Sequence, residues 1–131
     1  TTGNPNGHLV LRGGNRGTNY HLEAIQDSAA ELKGAGLPDR LMVDCSHANS
    51  NKDYRRQGEV LREVAAQVDQ KLDHIMGVMV ESHLVEGNQK LSADRSALTY
   101  GQSVTDACIS IETTAELLEE LAASVSKARL N

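Results

Sequence analysis

The chain has 131 residues, enough for one domain or part of one, and 18 Asp plus Glu against 13 Lys plus Arg leave it with a formal charge of −5. That acidic balance lacks the basic field on which non-specific nucleic-acid or anionic-membrane binding rests. No run approaches the roughly 20 apolar residues that span a bilayer, and no basic and apolar leader opens the chain, so no membrane or secretory role is expected.

The first apolar run is Leu9-Val10-Leu11, closed by Arg12. A glycine-rich loop from Gly13 to Asn19 follows, and then Leu22, Ile25, Ala29 and Leu32 recur at helical spacing between Tyr20 and Ala35. Gly34 and Gly36 end that helix, and Pro38 prevents its continuation. The second run, Leu41-Met42-Val43, leads into the polar stretch Asp44 to Asn51. A helix is expected from Asp53 to about Leu72, with Val60, Leu61, Val64 and Val68 on one side. The third run is Ile75 to Val80, followed by a long polar loop from Glu81 to about Thr105. A last helix is expected from about Thr113 to Ala128, capped by Thr113 or Thr114, with Leu117, Leu118, Leu121 and Val125 on its apolar face.

Strand, loop and helix thus occur three times over. Short, almost wholly apolar strands alternating with helices indicate an α/β class with a parallel sheet. No fixed-period repeat accompanies the pattern, which argues against a solenoid. Two cysteines, Cys45 and Cys108, are too few for a disulfide scaffold and fit a reduced, cytoplasmic setting. The start at Thr1-Thr2-Gly3, with no Trp, no Phe and only 3 Tyr in the whole chain, leads to the expectation of a fragment, since aromatics usually supply much of a core.

Each apolar run ends in a charged or metal-competent residue: Arg12 after the first, Asp44 and His47 after the second, Glu81 after the third. In parallel α/β folds the C-terminal ends of the strands converge on the ligand site. Asp106, ahead of the last helix, is a further candidate. Arginine can hold a phosphate or carboxylate bidentately. His47, Glu81 and Asp106 are suited to a divalent ion such as Mn, Fe, Zn or Co, and lie too far apart in the chain for a zinc-finger pattern. Simpler readings stand beside these. Arg12 could close a strand with a salt bridge, the glycines could serve only a tight turn, and His47 could be a hydrogen-bonded loop histidine. Asp106 could favour a helix N-terminus through the macrodipole. Glu81, His83 and Glu86 compete for one role, and pattern alone does not choose among them. The glycines match neither dinucleotide nor P-loop spacing.

Four segments carry a resemblance. Leu11-Arg12-Gly13-Gly14 with Asn19-Tyr20, Asp44-Cys45-Ser46-His47-Ala48-Asn49-Ser50 with Lys52, Gly77 to Gln89, and Tyr100 to Cys108 resemble, in order and spacing, the segments around strands six to eight and before the final helix of class I 3-deoxy-D-arabino-heptulosonate-7-phosphate (DAHP) synthases. The resemblance implies that residues 1–131 are the last three βα units of a (β/α)8 TIM barrel, the C-terminal portion of a single barrel domain. It implies condensation of phosphoenolpyruvate with erythrose 4-phosphate at the head of the shikimate pathway, with C3 of phosphoenolpyruvate attacking the aldehyde, water adding at C2 and phosphate leaving. By motif position, His47, Glu81 and Asp106 would be ligands of a divalent metal, which selects Glu81 over His83 and Glu86. Arg12 would bind the phosphate of phosphoenolpyruvate, with His47 and Asp106 also facing substrate. Ser46 and Asn49 would fix the histidine ring. The family's fourth metal ligand, a cysteine near its first strand, has no counterpart here, and neither Cys45 nor Cys108 lies in its motif.

The same resemblance implies a homo-oligomeric parent enzyme. Three units of eight cannot close a barrel, so the chain alone is expected to be inactive and to expose strand edges at both sides of its sheet. The alternatives are condensation with arabinose 5-phosphate, as in KDO-8-phosphate synthases, and a non-catalytic fragment completed by a partner.

Overall fold

A computed structural model describes residues 2–4 and 6–130 of the chain. Strands β1 (Leu9–Leu11), β2 (Leu41–Asp44) and β3 (Ile75–Met79) form one parallel sheet in that order. Between them lie helices α1 (Leu22–Gly34) and α2 (Gln57–Asp69), the latter preceded by a 3₁₀ turn at Tyr54–Arg56. Register pairs Leu11 with Val43 and Val43 with Val78, so the three strands end nearly level. The result is a mixed α/β fold, as expected, and it is open: no closed barrel forms among the described residues, and β1 and β3 are the two edges.

One face of the sheet carries the core. Leu11, Leu41 and Val43 pack with Ile25 of α1 and with Val60, Leu61 and Val64 of α2. Val10, pointing to the other face, is 40% exposed. The apolar runs therefore do not reflect strands covered on both sides within this segment, although both faces are apolar.

Helix α1 stops where the glycine pattern indicates: Gly34 is its last residue, and Gly36 supplies the left-handed turn beyond it. Gly36, with φ 70°, donates to the Lys33 carbonyl at 3.0 Å, and the Leu37 N–H reaches the Leu32 carbonyl at 2.9 Å. These are the two bonds of a Schellman cap, which needs a left-handed residue at that point.

Two expectations change. The stretch after Glu81 is not a loose loop. It contains β4 (Ser82–His83), β5 (Val85–Asn88) and β6 (Gln102–Ser103), with a 3₁₀ turn at Arg95–Ala97 between the last two. Strand β5 pairs in parallel with β6, and β4 with β7 (Ile109–Ser110), so the excursion folds back on its own root. Polar sequence hid these strands because each is short and its partner lies many residues away. The last helix, α3 (Ile111–Leu130), starts earlier than expected. Its cap is Ser110, whose Oγ accepts from the Thr113 N–H at 3.2 Å; Thr114 instead donates back to the Ser110 carbonyl at 2.8 Å. No helix among the described residues is long and apolar enough to cross a membrane.

Candidate metal centre

The level strand ends bring the candidate side chains to one side of the sheet. Arg12 follows β1 directly, Asp44 is the last residue of β2, and Glu81 lies two residues past β3. Helix α1 and the loop before it are tied to this rim by Asn49, which is fully buried. Its Nδ2 donates to the Leu11 and Asp44 carbonyls at 3.0 and 2.8 Å, and its Oδ1 accepts from the Asn19 N–H at 2.8 Å. Asn19 Oδ1 in turn accepts from the Gly13 N–H at 2.6 Å. Gly13, with φ 70°, lies so close to the next strand's loop that a Cβ would sit 2.8 Å from Ala48 Cβ. That contact, rather than a phosphate cradle, accounts for glycine at position 13.

His47 sits at φ 51°, a conformation uncommon for histidine. The loop holds it there: its carbonyl accepts from the Lys52 N–H at 2.8 Å and from Ser50 Oγ at 3.2 Å. The ring Nδ1 lies 2.7 Å from Asp44 Oδ2, a close contact off the line of a good hydrogen bond. This leaves Nε2 facing Glu81 Oε1 at 3.9 Å. The other carboxylate oxygen of Glu81 accepts from Ser46 Oγ at 2.5 Å. Ser46 thus holds the glutamate and Asn49 holds backbone; the residue against the histidine ring is Asp44.

Asp106 reaches the same point from far along the chain. The Ile109 N–H donates to the Glu81 carbonyl at 3.0 Å, and Gly87 and Cys108 exchange backbone bonds at 2.8 and 3.1 Å. These close the β4–β6 excursion and return the chain beside Glu81. Asp106 lies five residues before α3 begins, too far to act on the macrodipole of its first turn. One ligand atom each from His47, Glu81 and Asp106 falls within 4.8 Å of the other two. His83 and Glu86 are exposed and take no part in this group. A cleft of about 350 Å³ contains the three together with Arg12, Ser46, Lys52, Tyr54 and Ala107.

The donor set suits a divalent ion. An imidazole nitrogen and two carboxylates are borderline to hard ligands. The 3.9 Å between His47 Nε2 and Glu81 Oε1 is too long for a hydrogen bond, and close to twice the roughly 2.0–2.2 Å each makes to such an ion. Neither cysteine offers a thiolate. Cys45 is fully buried, and burial, aided by the charge of Asp44, pushes its thiol up to about 12. Cys108 is also raised, by burial first and by Glu81 next.

Asp44, against the His47 ring, and Gln57, whose side-chain amide bonds the Glu81 backbone N–H and carbonyl, are the neighbours of these side chains to which pattern gave no role. Asp44 had a signal, a carboxylate at a strand end three residues before a histidine. Gln57 had none, because a glutamine opening an amphipathic helix reads as solvent-facing.

A family model described as the DAHP synthetase I family matches residues 1–119. The chain is 51% identical over 121 residues to the Tyr-sensitive phospho-2-dehydro-3-deoxyheptonate aldolase of Escherichia coli (strain K12), covering 92% of this chain and 34% of that protein. It is 46% identical over 135 residues to the phospho-2-dehydro-3-deoxyheptonate aldolase of Corynebacterium glutamicum, covering 98% and 36%. The solved structure of phospho-2-dehydro-3-deoxyheptonate aldolase from Francisella tularensis SCHU S4 superimposes with a TM-score of 0.90 at 46% identity, over 98% of this chain and 37% of that one. The chain therefore spans about a third of the length of the relatives it matches.

Proposed function

Since the chain belongs to the DAHP synthetase I family, we propose that it carries the metal-centre side of an active site that condenses phosphoenolpyruvate with erythrose 4-phosphate. The observation that carries this reading is the convergence of His47, Glu81 and Asp106 within 4.8 Å, in one cleft with Arg12. The other barrel units, and the remaining substrate contacts, belong to the rest of a (β/α)8 domain about three times as long.

His47, Glu81 and Asp106 would hold a divalent ion, with Mn, Fe, Zn and Co all compatible with the donors. When bound, that ion supplies Lewis-acid polarisation of the aldehyde carbonyl. Asp44, against Nδ1, and Ser46, bonded to Glu81 Oε2, leave His47 Nε2 and Glu81 Oε1 as the atoms that would take such an ion. Arg12 grips the phosphate of phosphoenolpyruvate through its guanidinium fork, and Lys52 adds a second positive charge to the cleft.

Phosphate release by the full-length protein, supplied with phosphoenolpyruvate, erythrose 4-phosphate and Mn²⁺, tests the reading. Turnover is expected to vanish on chelation and return with metal, and Arg12→Ala is expected to raise the KM for phosphoenolpyruvate by about tenfold or more, on the scale of a lost charge-assisted pair. Turnover with arabinose 5-phosphate but not with the four-carbon aldose would overturn the substrate assignment, and chelator-resistant turnover would overturn the metal assignment.

A further inference from the structure

The carboxylate of Glu81 is oriented by Ser46, but its backbone lies past the β2–β3 ladder, where its carbonyl accepts from the Ile109 N–H of β7 at 3.0 Å and its N–H has no strand partner. The β2–β3 ladder ends at Asp44 and Met79, with a final bond from the Cys45 N–H to the Met79 carbonyl at 2.9 Å. Past that point no strand offers a partner to the Glu81 N–H. The side chain of Gln57 supplies it: Oε1 accepts from the Glu81 N–H at 2.7 Å, and Nε2 donates to the Glu81 carbonyl at 3.1 Å. The amide thus makes with one residue the same pair of bonds that a neighbouring strand would make. Gln57 is fully buried, so no water competes for either bond. It is the first residue of α2, and that helix is fixed to the core by Val60, Leu61 and Val64.

We propose that Gln57 is a positioning residue for the metal centre: its side-chain amide, anchored by α2, fixes the backbone of Glu81 and so the place of the Glu81 carboxylate opposite His47. This rests on the reading of His47, Glu81 and Asp106 as metal ligands. A ligand whose backbone has two bonds to a packed helix as well as the Ile109 bond is held more closely to the geometry that coordination demands than one held by the Ile109 bond alone. The amide is needed in both its roles, so shortening or deleting it acts on the ligand through the backbone without touching ion or substrate.

The test measures Mn²⁺ affinity and metal-free thermal stability on the full-length protein. Gln57→Met keeps the length and apolar stem but loses both bonds; Gln57→Asn keeps the amide one methylene short. Both are expected to weaken Mn²⁺ binding by about 10–100-fold. A purely structural glutamine would lower the metal-free melting temperature and leave the Mn²⁺ Kd at the parent value, and that result in either folded variant overturns the proposal. Glu81→Gln serves as the control. If it binds Mn²⁺ like the parent, the ligand assignment itself fails; if it loses the ion while the Gln57 variants keep it, only the positioning role fails. Should neither Gln57 variant fold, the side-chain amide ¹⁵N resonance of Gln57 in the unaltered protein decides. It is expected to shift on titration with Zn²⁺, and an unmoved resonance overturns the proposal.

Discussion

Lys71 ends α2 with φ 62°, donating to the Val68 carbonyl at 2.9 Å while the Leu72 N–H reaches the Gln67 carbonyl at 3.2 Å. These are the Schellman bonds that close α1, except that α1 places Gly36 where α2 places a lysine. A side chain in the left-handed region carries roughly 1–2 kcal/mol of strain, part of which glycine gives back in unfolded-chain entropy. Lys71→Gly is therefore expected to stabilise the fold by about 0.5–1 kcal/mol in urea unfolding, and Gly36→Ala to destabilise it by a similar amount. His47 has the same backbone geometry but a different consequence, because its carbonyl bonds to Lys52 and Ser50 aim the imidazole at Glu81. Ser46→Ala removes the hydroxyl that holds Glu81 Oε2 and creates no cavity larger than an oxygen. It is expected to weaken divalent-ion binding about tenfold, read by calorimetry, with little change in the melting temperature of the metal-free protein.

Helices α2 and α3 meet through Leu117 and Leu121 against the α2 face and are bridged at the surface by Arg62, whose Nε and Nη2 donate to Glu120 at 2.7 and 3.0 Å, and by Lys127 with Asp69. The Arg62 hydrogen bonds hold the Glu120 carboxyl below its usual range and raise the Arg62 guanidinium. A carboxyl depressed in the folded state contributes stability above its unfolded pKa and loses it as pH falls through the folded value. The stability gap between the parent and Glu120→Gln should thus be present at neutral pH and close as pH drops below about 4. Thermal melts of both proteins across pH 3–8 check this, and a gap that persists at pH 3 contradicts it. This contact joins distant parts of the chain, and nothing in the charge pattern of either helix announces it. The helices themselves are legible, because Ile25, Ala29, Val60, Leu61, Val64 and Leu117 recur at the period of one buried face. The start of α3 is less so, since Ser110, Thr113 and Thr114 all offer cap hydroxyls and only packing against Ser82, 2.6 Å from Thr114 Oγ1, selects among them.

At the scale of the whole molecule, the strand order is readable from three apolar runs separated by helices, and so is the rim on which Arg12, His47 and Glu81 stand. What the runs do not contain is the return of Asp106, which depends on β5 pairing with β6 and β4 with β7, two short pairings between distant residues, tied further by the side-chain amides of Asn88, Gln89 and Gln102 to backbone across the excursion. The open faces have a consequence that the α/β pattern alone does not settle. Strands β1 and β3 have one sheet neighbour each, and Leu9, Val10 and Met76 are 36%, 40% and 48% exposed along these edges. Unpaired parallel edges with apolar side chains are templates for another strand. Arg12 and Asp106, though in the cleft, are both exposed, so the site has one wall. Expressed by itself, the 131-residue segment is therefore expected to associate as concentration rises and to release no phosphate from phosphoenolpyruvate with erythrose 4-phosphate and Mn²⁺. Sedimentation velocity over a hundredfold concentration range, with the coupled phosphate assay on the same samples, tests both halves. Association without turnover fits the proposed reading, in which further βα units would complete the sheet and the cleft. A monodisperse monomer with turnover would mean that this chain holds every group the chemistry needs, which would overturn the proposal that further βα units of a barrel contribute to catalysis.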